Sequence, residues 1–131
     1  VTEAQWEAIF GSGVTKADAS GSRNRCSVLT SGSSSGQEIA LQELGSMGIA
    51  SFDDALASYT GCSGEPTEID LADRAVLDTS CLPTSGKAWV IAQSGEEVLY
   101  VSLNLGGPAS GDPAAIGDAF AEAATAIVDA R

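Results

Sequence analysis

Apolar residues recur along this chain with two periods, one helical and one alternating. Near the start, Trp6, Ile9 and Phe10 stand at i, i+3 and i+4 and share one helix face. Thr2 is placed to cap that helix with Gln5 reaching back to it, and Gly11 and Gly13 stop it. Residues 15–24 are small and polar and read as a loop. Arg25 to Thr30 reads as a strand, with Cys26 and Val28 on one face and Leu29 on the other. The SGSSSG run at 31–36 has no side chain able to build a core and reads as a turn. Glu38 to Leu44 suits a strand by the alternation of Ile39 and Leu41, and a helix by its Gln and Glu content. A strand is preferred, because the Ser/Gly run then closes a hairpin.

Ser51 is the N-cap of a second helix, with Asp53 and Asp54 in its first turn where the helix dipole favours anions. Phe52, Leu56 and Tyr59 share its face and Gly61 ends it, leaving 63–74 as an acidic loop. Ala75 to Cys81 is a strand bounded by Pro83. Lys87 to Gln93 is another, with Trp89 and Ile91 on one face, followed by a tight turn at Ser94-Gly95-Glu96. Val98 to Leu105 alternates most clearly. Leu99, Val101, Leu103 and Leu105 point one way, and Tyr100, Ser102 and Asn104 the other. A loop at 106–111 leads to Asp112 as N-cap, Pro113 at the first helical position, and a helix to about Ala130 whose stripe is Ile116, Phe120, Ala123 and Ile127. The order predicts a single α+β domain over residues 1–131. It is an antiparallel sheet of about five strands with helices packed on one face, a two-layer arrangement.

Composition narrows what such a domain can do. The 131 residues hold 6 basic and 18 acidic side chains, a net charge of −12, which argues against nucleic acid as a partner. No apolar run approaches the ~20 residues of a membrane-spanning helix. There is no histidine, which excludes Ser-His-Asp and Cys-His nucleophile systems and His-held zinc or haem. Cys26, Cys62 and Cys81 are widely separated, unlike a zinc site, and allow three single bridges. Cys62–Cys81 is preferred, since it pins the acidic loop between a helix and a strand. Glu65, Glu68, Asp70, Asp73 and Asp78 cluster in that stretch but lack the alternating spacing of a calcium loop. With seven aromatics in the whole chain, they also lack an aromatic-lined cleft for glycoside hydrolysis. They read as a solvated acidic loop. No cofactor and no metal is implied.

The stretch Leu71-Ala72-Asp73-Arg74-Ala75, the strand with Trp89, the Ser-Gly-Glu turn, the strand from Val98 to Leu103 and the Pro/Ala-rich helix after it resemble small exported lipoproteins of actinobacteria. They are similar too to the extracellular sensor domains of mycobacterial membrane kinases. The resemblance covers about the last half of the chain and its first ten residues. Two positions depart from it. Ala72 stands where that group has Gly before the Asp, and its Cys-x-Trp strand here reads Cys26-Ser27-Val28. The resemblance implies an envelope-facing binding or sensor domain and carries no catalytic residue over.

Val1 in place of Met, abundant Ser, Thr, Gly and Ala, and the acidic surface fit a mature exported chain, with a lipid anchor upstream as part of that expectation. The expected function is non-enzymatic: an exported or envelope-anchored domain that binds a small-molecule ligand or a protein partner. The alternative is an acidic inhibitor or immunity-type protein that masks a basic partner. The expected binding surface is the polar row Tyr100, Ser102 and Asn104, together with the loop bearing Glu65, Glu68, Asp70 and Asp73.

Overall fold

The computed structural model describes residues 9, 20–22, 25–29, 38–49, 51–58, 66–109 and 111–129; of these, 20–22, 25–29, 46 and 47 are described through their backbone alone. Seven strands form one sheet: β1 (Ser20–Ser22), β2 (Arg25–Leu29), β3 (Glu38–Glu43), β4 (Thr67–Ile69), β5 (Arg74–Asp78), β6 (Lys87–Ser94) and β7 (Glu97–Asn104). Among the described residues they are accompanied by the helices α1 (Phe52–Ser58), α2 (Leu82–Ser85) and α3 (Pro113–Asp129), a 3-10 turn at Leu44–Met47, and Ile9 in helical conformation. The strand order is β1-β2-β3-β7-β6-β5-β4, and every neighbouring pair is antiparallel. The five predicted strands are its contiguous body. Two three-residue strands extend it at the edges, and one of them, β4, lies inside the stretch expected to be loop. Glu38–Glu43 is a strand paired with β2, as a hairpin requires.

Two meanders, β1-β2-β3 and β4-β5-β6-β7, are stitched together where β3 pairs with β7. Leu41, Val101 and Val90 stand in one cross-strand row, and Ile39, Leu103 and Ala88 in the next. These rows form the first face of the sheet, and α3 lies over it. Ile116, Ala119, Phe120, Ala123, Ala124 and Val128 of α3 join them in one core, together with Leu82 of α2 and Ile9. Of the predicted first helix Ile9 alone is described. It is helical and 3% exposed, in agreement with its place on the buried stripe. The predicted cap is present, since Asp112 Oδ1 accepts the Ala114 N–H at 3.1 Å. The stripe is turned slightly from the expectation: Val128 is buried and Ile127 only partly so.

The helices do not all sit on one face. The chain leaves β3 and must reach β4 at the far edge, four strand spacings away, or about 19 Å at ~4.8 Å per strand. The described parts of that link, the 3-10 turn and α1, lie on the second face. Phe52 and Ala55 pack there with Leu44, Val76, Trp89, Ile91 and Val98. The physical cause lies in β6, where Ala88, Trp89, Val90, Ile91 and Ala92 are all buried. Such a run needs cover on both sides. The arrangement is therefore three-layered at β6, where two layers were predicted.

Other boundaries moved for local reasons. The strand expected to reach Cys81 ends at Asp78, whose Oδ1 accepts both the Ser80 N–H at 2.8 Å and the Ser80 hydroxyl at 2.6 Å. That side-chain turn redirects the chain into α2. At the end of α2, Gly86 has φ 69 and its carbonyl accepts the Leu105 N–H at 2.8 Å. A Cβ at Gly86 would collide with the Gly107 carbonyl oxygen, so the segment after β7 can lie against α2 only over a glycine.

Two substitutions test this packing. Phe120→Ala, at a side chain with no exposed surface, is expected to cost about 3–5 kcal/mol in urea unfolding. Gly86→Ala, which meets both a positive φ and a backbone collision, is expected to lower the thermal midpoint by roughly 5 °C or more.

Candidate binding surface

On β7 the side chains of Tyr100, Ser102 and Asn104 follow one another on the second face, and all three are half-buried. Register places their neighbours. Tyr100 stands between Gln42 of β3 and Ile91 of β6, Ser102 between Ala40 and Trp89, and Asn104 between Glu38 and Lys87. The apolar part of this surface is Ala40, Trp89 and Ile91 beside Ser102 and Tyr100, and its charged end is Glu38 and Lys87 beside Asn104. Tyr100 packs against the cluster under α1, so its ring borders the covered half of the face. Asn104 has a local task as well, since its Oδ1 accepts the Gly106 N–H at 2.9 Å and turns the chain after β7.

The acidic loop divides into separate parts. Glu65 lies outside the described residues. Glu68 is exposed on the edge strand β4, in the same cross-strand row as Val76, Ile91 and Tyr100. The sheet thus puts Glu68 on the face that carries Tyr100, three strand spacings or roughly 14 Å away. Asp70 is exposed in the following bend. Asp73 is a structural clamp. Its Oδ2 accepts the Gly95 N–H at 2.7 Å and its own N–H donates to Gln93 at 3.0 Å, which ties the β4–β5 bend to the tip of the β6–β7 hairpin. Gly95 has φ 61 at the first central position of that two-residue turn, where type II′ geometry calls for glycine.

Three features of β5 and the bend before it escaped the sequence reading. Asp78 is 4% exposed and stands beside Trp89 in register, with the bonds to Ser80 satisfying one carboxylate oxygen. Its place at the end of an apolar strand was legible, but its inward direction was not. Arg74 lies over the Phe52 ring, 4.2 Å from the centroid, and reaches Asp53 Oδ1 at 3.5 Å. Both members of that ion pair are largely exposed, so it contributes little by itself. Ala72 has φ 53, a left-handed conformation that costs an alanine about 1–2 kcal/mol. Glycine adopts this conformation without that cost.

Cys81, half-buried just before α2, is disulfide-bonded. Cys62 lies outside the described residues, and so does the expected Cys62–Cys81 pairing. Among the described residues, no three His, Cys, Asp or Glu side chains gather closely enough to hold a metal ion. Among the same residues, no helix is long and apolar enough to cross a membrane. No family model, no curated protein and no solved structure matches the chain.

Relief of the Ala72 backbone sets against the greater freedom of glycine in the unfolded chain, an opposing ~0.4–1 kcal/mol. Ala72→Gly is therefore expected to stabilise by up to about 1.6 kcal/mol, read as a higher urea midpoint at unchanged slope.

Proposed function

We propose that this chain is a non-enzymatic exported or envelope-anchored domain that binds a small-molecule ligand or a protein partner through the second face of its sheet. The observation that carries the reading is the half-exposed row Tyr100, Ser102 and Asn104. It lies on the strand that joins both meanders, so the backbone beneath it is held from both sides. Polar groups on a rigid strand beside an apolar floor are suited to orienting a ligand. Export is supported by the bridged state of Cys81, because disulfides persist in oxidising compartments. The resemblance to small exported lipoproteins and extracellular sensor domains points the same way. Cys62 is the proposed partner of Cys81.

A second reading has its own support. The charge of −12, with Asp53, Asp54, Glu68, Asp70, Asp118, Glu122 and Asp129 all exposed, favours an inhibitor or immunity-type role against a basic partner.

Native mass spectrometry of the protein recovered from its own source tests both. A separable adduct that is lost in Ser102→Arg is expected under the first reading. A protein partner whose affinity falls steeply between low and high salt, and is indifferent to Ser102→Arg, would replace it with the second. A bare, fully reduced chain from the cell interior would overturn the export argument. Peptide mapping under non-reducing conditions is expected to join the fragments bearing Cys62 and Cys81.

A further inference from the structure

We draw no further inference here: the strongest candidate, the buried Asp78 carboxylate beside Trp89 at the end of β5, carries nothing because its described bonds form the turn into α2 and nothing in the structure shows what covers it.

Discussion

Strand β6 is buried on both sides from Ala88 to Ala92, and the rest of the molecule is arranged around that requirement. Each fully buried Val or Ile side chain is worth about 1.5–3 kcal/mol relative to exposure. Val90 faces α3 and Ile91 faces α1, and neither retains exposed surface. A strand of this kind is stable only in the interior of the sheet with a layer above and a layer below. Its neighbour β7 carries the alternation, with the first-face positions Leu99, Val101 and Leu103 buried and Tyr100, Ser102 and Asn104 half-buried. The layers follow: α1, between β3 and β4 in sequence, lies on one face, and α3 lies on the other.

How much of this was legible depended on the range of the interaction. Strands with their own alternation, such as β7, and a helix with its own cap and stripe, such as α3, are specified by residues a few positions apart. Asp112 and Ser51 cap as their types dictate. β4 was not legible, because Thr67–Ile69 has no pattern of its own and becomes a strand by pairing with Leu77, Val76 and Ala75. The face occupied by α1 was not legible locally either. It follows from the topology, although the unbroken apolar run of β6 did carry a hint that one layer of helices would leave half of it uncovered.

The candidate surface shows the same division. The alternation of Tyr100, Ser102 and Asn104 was readable, and the sheet presents them together. The acidic stretch was readable only as composition. Folding separates its members into an exposed edge residue, Glu68, a buried turn-former, Asp78, and a hairpin clamp, Asp73. A carboxylate beside a backbone N–H of another hairpin cannot be foreseen from spacing, since Asp73 and Gly95 are 22 positions apart.

Among the described residues the outermost strands are β1 and β4, and β4 is a three-residue strand with non-strand backbone on both sides. An exposed strand edge is a template on which another chain can add a strand, and the affinity of such an addition grows with each rung of the ladder. A three-residue edge has few rungs, and on β4 Glu68 sets a charge on the rim with Asp70 just beyond it. The sheet therefore limits its own growth at the β4 edge. A sheet with so apolar a centre is in this way guarded at that edge against pairing with another chain.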